Sequence, residues 1–487
     1  MKNTKSIHPQ WALKHRQKGT ELRLINGTYY LYQVTSKWNP RKKRSQKITG
    51  KLLGKITPEG FHESDKNKLR KSFDKVLETP PQVKEYGASY FIKHNFSQYL
   101  NRVKDHFPEI WQEIIGLAYV RLLYQAPIKN IGVYFEQSYL SEFFPGVTLG
   151  EKRAGALLRK IGSYREKVVG FMHQFIGEKE NILIDATHLI SNSKNIDIAK
   201  HGYNSQMEFD PQINLMLIFS AKQQMPVFYR ILPGNIREVV SFRLTLQEAG
   251  IKDATIIADK GFYSNINIES LDQEKLTYII PLKRDSSLID YSKIAIASKK
   301  GFDGYFKYHD RFIWFYTIKH EKKSVTVFYD DILRTKEEHD YLYRIEIHPE
   351  NYTIETFREK QPWFGTLSIF YNIPDKNAED IYNLYKIRGN IETMIDAMKN
   401  TLEADKAYMQ NEMAFQGWMF INFIALQWYY QIYLLLKEKN LLKNYSPKDL
   451  LMHLSGVKRL KINQIWHTAE FTKKTQNLLD KIQLPIT

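Results

Sequence analysis

Hydrophobic positions change their rhythm several times along the chain, and each change predicts a different kind of element. Leu22, Leu24 and Ile25 precede Asn26-Gly27, and Thr28-Tyr29-Tyr30-Leu31-Tyr32 follows. Asn-Gly supplies the positive φ angles of a tight type I′ turn, so this stretch predicts a β-hairpin. With the short apolar run 48–56 it makes a small β unit over 1–64. From 65 to 177 the spacing turns helical, most clearly from Ile110-Trp111 to Leu123 and from Glu151 to Phe175.

Strand patterns take over at 178–285. The runs 181–185, 212–220, 227–232, 255–259 and 278–281 read as buried strands, and 238–249 as a helix. A strand, a hairpin and then alternating helices and strands predict an α/β layered sheet of mixed direction. Residues 286–373 carry alternating aromatic stretches, which predict an antiparallel β-rich insertion. Helices resume over 374–436 and continue through a C-terminal helical region at 437–487, where Ser446-Pro447 reads as a cap and first helical position. The uncharged stretch 413–436 is long enough to span a bilayer. Gln416, Gln427 and Gln431 form one polar stripe on it, with Asn422 on the other side, so a buried core helix is expected instead.

Composition sharpens this outline at two points. Of 487 residues none is cysteine, which excludes disulfides, thiolate metal sites and a cysteine nucleophile. Net charge is +18, and residues 1–58 hold 14 Lys+Arg against one acid, Glu21. So uneven a distribution predicts a polyanionic partner, nucleic acid or an anionic membrane surface. Arg41, Lys42, Lys43, Arg44 and Lys47 lie among Tyr29, Tyr30, Tyr32 and Trp38, an interleaving that favours nucleic acid. The first ten residues, MKNTKSIHPQ, lack the apolar core of a secretory signal.

Candidate chemistry begins with two strands that end in an acid, at Asp185 and Asp259. In an α/β sheet such ends face the edge where ligands collect. Adjacent carboxylates repel unless a hard cation lies between them, and Mg²⁺ takes just such oxygen ligands. Each aspartate alone could equally cap the next turn. Downstream, Tyr385, Arg388, Glu392 and Lys399 stand at offsets of 0, 3, 7 and 14, within about 60° on one helix face. Asp396 and Glu403 fall on nearly the same arc, so spacing does not single out one acid.

Taken in order, these residues resemble a DDE transposase of the IS4 superfamily of bacterial insertion sequences. The helix carries that family's Tyr-x2-Arg-x3-Glu-x6-Lys signature at every position, and Asp259-Lys260-Gly261-Phe262 matches its Asp-x-Gly-Phe motif. Asp185-Ala186-Thr187 occupies the place of the first aspartate, and Leu232-Pro233-Gly234-Asn235 closes a similar hairpin. The resemblance covers about residues 180–435. It implies an RNase H-like catalytic core interrupted by an insertion, and the separation of 133 positions from Asp259 to Glu392 leaves room for one. It also implies that Asp185, Asp259 and Glu392 hold two Mg²⁺ ions, with Mn²⁺ as a substitute, and that Tyr385, Arg388 and Lys399 contact DNA phosphates. Cleavage and strand transfer at the ends of an insertion sequence follow, by a homodimer on double-stranded DNA at the nucleoid of a bacterial cytoplasm, with no membrane partner. A flipped base stacking on Trp314 or Trp363 belongs to the same expectation. The rival readings are a nuclease on the same core, a transposase-derived DNA-binding protein without strand transfer, and a basic membrane-surface protein. No Gly-x4-Gly-Lys-Ser/Thr loop and no His-Glu-x-x-His site is present.

Overall fold

A computed structural model describes residues 8–40, 43–68, 80–202, 210–236, 238–294, 299–404 and 409–486. The chain divides into two compact units, Met1–Val83 with Arg459–Ala469, and Lys84–Lys458 with Glu470–Thr487. In the first, β1 (Thr20–Ile25), β2 (Thr28–Asn39), β3 (Arg44–Thr57) and β4 (Gly60–Glu63) form an antiparallel meander. Asn26 and Gly27 turn between β1 and β2 with φ of 47° and 77°, as an Asn-Gly hairpin requires. Ala12, Leu22, Tyr29, Leu31 and Ile56 make a small core. Gly54 allows β3 to close on β4, because a Cβ there would stand 2.2 Å from the His62 carbonyl oxygen.

β2 and β3 then outrun this core as a two-stranded ribbon. Positions 35–38 and 44–51 are exposed, and Trp38 is 61% exposed. The apolar run 48–56 is therefore only partly a core strand: Ile56 is buried, while Ile48 is 45% exposed on the ribbon.

The second unit opens with helices α1 (Gly87–Asn95), α2 (Ser97–His106), α3 (Trp111–Tyr124), α4 (Ile128–Gln137), α5 (Leu140–Phe143), α6 (Glu151–Ser163) and α7 (Arg165–His173). The sheet follows, with β5 (Asn181–Ile190), β6 (Gln212–Ser220), β7 (Met225–Pro233), helix α8 (Glu238–Ala249), β8 (Thr255–Ala258), helix α9 (Asn265–Gln273) and β9 (Thr277–Pro281). Their spatial order is β7-β6-β5-β8-β9, antiparallel across the β5–β6–β7 pairs and parallel across β5–β8–β9. This is the RNase H-like arrangement. Ile182, Leu183, Ile184, Ile256, Ile257 and Ile279 are fully buried, as expected of strands covered on both faces.

The insertion is not a separate sheet. β10 (Gly304–Tyr308), β11 (Arg311–His320), β12 (Lys323–Asp330) and β13 (Thr366–Tyr371) extend the core to nine strands, β13 pairing antiparallel with β9. Between β12 and β13 lie helices α10 (Asp331–Ile347) and α11 (Ile354–Lys360), which the aromatic alternation of the region does not announce. Asp330 starts α10 by accepting the Ile332 and Leu333 N–H groups at 2.9 and 3.1 Å.

After the insertion come α12 (Ala378–Lys386), α13 (Gly389–Asp396) and a π-helical turn at Ala397–Thr401. Helix α14 (Glu412–Glu438) is long and apolar enough to cross a membrane, but it packs against α3, α6 and β7, with 72% of its most apolar window buried. Two glycines permit its crossing with α6: a Cβ on Gly162 would lie 1.9 Å from the Met413 carbonyl oxygen, and one on Gly417 2.0 Å from that of Leu158. Its buried amides are satisfied, Asn422 Oδ1 accepting from Arg121 Nε at 3.0 Å and Gln427 Nε2 donating to the Pro226 carbonyl at 2.9 Å. Helix α15 (Pro447–Ser455) carries the expected cap, Ser446 Oγ accepting the Asp449 N–H at 3.2 Å. The region beyond 437 is not all helical. A hairpin of β14 (Lys458–Ile462) and β15 (Ile465–Thr468) precedes α16 (Lys473–Lys481), turning through Asn463 and Gln464 with φ of 46° and 69° and no glycine to signal it.

Candidate active site

β5 is longer than its apolar run predicts. The antiparallel ladder with β6 continues to Ile190–Gln212, so Asp185 sits in mid-strand and not at a strand end. On its other side β5 loses its neighbour there: the last parallel pair with β8 is Ile184–Ala258, and Asp259 follows β8 directly. The two aspartates therefore occupy adjacent strands at the point where the parallel pairing stops. Lys260–Phe262 forms a short 3₁₀ turn anchored by buried Phe262, whose ring lies 5.2 Å from that of Phe242.

The signature helix is bent by two departures from α geometry. Arg388, Asn390 and Ile391 donate to Tyr385, Ile387 and Arg388 three residues back, and the π turn follows at Ala397–Thr401. A single straight wheel over 385–399 therefore fails. Tyr385, Arg388 and Glu392 line one cleft, whereas Lys399 lies in the π turn and not among its lining residues. Asp396 lines a different cavity and accepts from Asn400 Nδ2 at 2.5 Å, and Glu403 lines a third. Glu392 is thus the acid of this segment that joins the aspartates.

Arg388 gathers the three carboxylates. Its Nη2 lies 3.2 Å from Asp185 Oδ2 and 3.6 Å from Asp259 Oδ2, and its Nη1 2.5 Å from Glu392 Oε1. The guanidinium is only 14% exposed, and its Nε is buried without a hydrogen-bond partner among the described residues. Burial pushes the Asp185 carboxyl up to about 6, with Asp259 and Glu392 adding to the rise; Arg388 and the Ala186 N–H, 2.9 Å from Oδ1, hold it down. Burial likewise raises the Tyr385 phenol. One cation facing three acids leaves the cluster short of positive charge, and the donors are all oxygen. That set fits a hard divalent ion. Among the described residues, however, no three metal-binding side chains converge closely enough to form a cage.

Beside the acids runs a cleft of about 750 Å³, lined by Asp259, Tyr385, Arg388 and Glu392 and also by Lys260, Lys283, Arg284, Lys360 and Trp363. The lysines and Arg284 have no motif of their own. Their signal is position, since Lys260 and Lys283-Arg284 follow the carboxyl ends of β8 and β9. Glu337 of α10 ties the wall together, accepting from Arg284 Nη2 at 2.8 and 3.0 Å and from the Gly365 N–H at 2.8 Å. Trp363 is half-buried on this wall, whereas Trp314 packs on β11 against Tyr305 and Phe302 and does not line the cleft. Of the basic run, Arg41 and Lys42 lie outside the described residues. Lys43 makes the ribbon turn with φ of 43°, Arg44 pairs with Asn39, and Lys47 Nζ meets Glu21 at 2.7 Å.

The family described as Transposase DDE domain matches residues 177–428, more than half of the chain. Comparison with curated proteins returns no match. Among solved structures the chain is similar to piggyBac transposase in a synaptic complex with hairpin DNA, at 11% identity over 78% of this chain and 82% of that one, with a TM-score of 0.39. It is also similar to Mos1 transposase in a paired-end complex with the left transposon end, at 10% identity over 34% and 57%, with a TM-score of 0.15. Neither score is high enough to carry weight beside the family match. The chain belongs to the DDE transposase family and is a DNA transposase, of a family whose chemistry uses divalent metal ions.

Proposed function

We propose that the protein binds the ends of an insertion sequence of the IS4 superfamily, cuts the DNA there and joins the freed 3′-hydroxyl to a target duplex. Asp185, Asp259 and Glu392 are the acids of this reaction. The observation that carries the reading is their convergence from β5, the end of β8 and α13 on the single Arg388 guanidinium. Two Mg²⁺ ions, or Mn²⁺ in their place, suit these oxygen donors and supply an activated oxygen nucleophile and charge neutralisation at the leaving oxygen.

The chain's own groups set the geometry around that chemistry. Asp185 accepts the Ala186 N–H and is held against Arg388. Arg388 and Tyr385 hold the oxygens of the scissile or a neighbouring phosphate, with Lys260, Lys283 and Lys360 along the same cleft. Lys399 is assigned a phosphate contact through the family signature alone. Trp363 offers its ring to a base displaced from the duplex. In the first unit the β2–β3 ribbon, with Lys43, Arg44 and Lys47, has the form of a β-ribbon that enters a major groove, and Arg41 and Lys42 belong to the same run. Two ends require two active sites, hence a homodimer, acting at the nucleoid in the bacterial cytoplasm.

The test uses purified protein, Mg²⁺ and a labelled duplex carrying the element's end. Asp185→Asn, Asp259→Asn and Glu392→Gln are each expected to lower cutting and joining by about 10³-fold while retaining duplex binding. Parent-level products from any one of them would remove that residue from the site.

A further inference from the structure

The acid cleft does not account for a second, larger cavity of about 1090 Å³, lined by residues of α3, α4, α6 and α14 together with Glu403 and Met409 to Asn411. Four cations line it, Arg121, Lys129, Lys152 and Arg159, against Glu151 and Glu403. Helix α6 shows why they face inward together. It carries two pairs of cations, each spaced seven residues and so on one face: Arg153 with Lys160, and Lys152 with Arg159. The first pair is neutralised, Arg153 by Glu113 at 3.4 Å and Lys160 by Glu109 at 3.0 Å. The second pair lines the cavity with Gly155 between, which leaves the wall open there. Among the described residues neither Lys152 nor Arg159 makes an ion pair with a carboxylate.

Arg121 makes the base of the cavity a built site. It is 2% exposed and stacks over the Trp418 ring at 4.6 Å from the centroid. Its partners are neutral oxygens, Asn422 Oδ1 at 3.0 Å and the carbonyls of Ala126, at 3.2 Å, and Leu402. A guanidinium so buried is costly without a counter-charge, and burial draws its pKa down to about 10. Among the described residues Glu403 is the carboxylate that acts on it, without forming an ion pair. An anion entering from the open side would complete the charge balance.

We propose that this cavity binds phosphate groups, and that a DNA strand outside the catalytic cleft supplies them. The strand as source rests on the transposase reading; the phosphate chemistry does not. Arginine and lysine side chains converging on one wall suit phosphodiester oxygens, and the exposed positions of Lys129, Lys152 and Arg159 admit a continuous backbone.

The experiment compares full-length parent, Lys152→Gln/Arg159→Gln, and Arg153→Gln/Lys160→Gln as the control on the neighbouring face. Binding to a duplex is measured across NaCl concentrations, and Tm with and without inorganic pyrophosphate. The cavity variant is expected to flatten the slope of log K against log salt by about 2, since each lost phosphate contact removes about 0.9. The control is expected to keep the parent slope. If slopes are equal but pyrophosphate raises the Tm of the parent and not of the cavity variant, the site stands and its phosphate comes from a free compound. Equal slopes with equal Tm responses overturn the proposal, as does equal flattening by the control. Cleavage of an end duplex, assayed in parallel, tests the transposase reading separately, because a parent that binds but never cuts fails that reading alone.

Discussion

The ribbon of the first unit and the acid cluster of the second handle charge in opposite ways. Along β2 and β3 the cations are close in sequence and exposed, and Lys47 meets Glu21, which also pairs with Arg23 of β1. In the cluster, acids 74 and 133 residues apart in sequence gather around one arginine, with Asp185 and Arg388 only 15% and 14% exposed while Asp259 and Glu392 open to solvent at 37% and 58%. An exposed array of one sign costs little to maintain and suits a polyanion whose sequence it need not read. A half-buried cluster of like charges is expensive, and persists when a reaction uses it. The difference teaches that exposed excess charge points to a class of partner, a polyanion, while acids gathered around one cation point to the chemistry.

The comparison can be broken first at the cluster. Asp185→Asn, Asp259→Asn and Glu392→Gln are expected to lower strand cleavage by about 10³-fold, several kcal/mol of transition-state stabilisation, with duplex affinity within a few-fold of the parent. Equal losses in cleavage and affinity would make the acids structural. Next, Arg388→Met should destabilise the metal-free protein by about 2 kcal/mol, because it leaves three carboxylates facing one another. Calorimetry with and without Mg²⁺ checks this, and the ion is expected to restore part of the loss. A Tm unchanged in both conditions would show that the acids do not depend on the guanidinium.

The ribbon offers smaller and more graded tests. Charge reversal at Lys43 and Arg44 should weaken duplex binding several-fold and flatten its salt dependence by about 2, without altering the rate of cleavage of saturating substrate. An unchanged salt slope would remove the ribbon from the DNA footprint. The smallest effect separates two neighbouring cations. Arg44→Gln should cost more affinity than Lys47→Gln, by less than about tenfold, because Lys47 already spends its charge on Glu21 at 2.7 Å. Filter binding at low salt resolves that order, and a reversed order would mean that the Glu21 pair opens on DNA.

Much of this was legible before any coordinates. The Asn26-Gly27 hairpin, the strands 212–220 and 255–258, helix 238–249 and the Ser446 cap all appear at or within a residue of their expected places. Each depends on local backbone preference or on a period that short windows reveal. The misses have local causes too. β5 continues past Asp185 because β6 supplies a partner as far as Ile190, which no feature of 186–190 announces. Helices α10 and α11 hide in a segment whose aromatic neighbours read as strand, and the Asn463-Gln464 turn lacks the glycine that usually marks one.

The sequence by itself determined most element types outside the insertion and the C-terminal hairpin, the asymmetric charge, the all-oxygen character of any metal site and, through its signature, the transposase family. Spacing left three acids on one helical arc and the signature chose Glu392; only the tertiary structure decided how that residue comes to stand beside Asp185 and Asp259, through a tightened turn before α13 and a π turn after it. It also decided that Arg388 binds the acids, that Trp363 and not Trp314 reaches the cleft, and that α14 is buried against helices and sheet. The physical reason is range. Periodicity reports what a residue does to its neighbours within a turn or two, whereas carboxylates at 185, 259 and 392 meet through strand register and helix packing that local spacing does not encode.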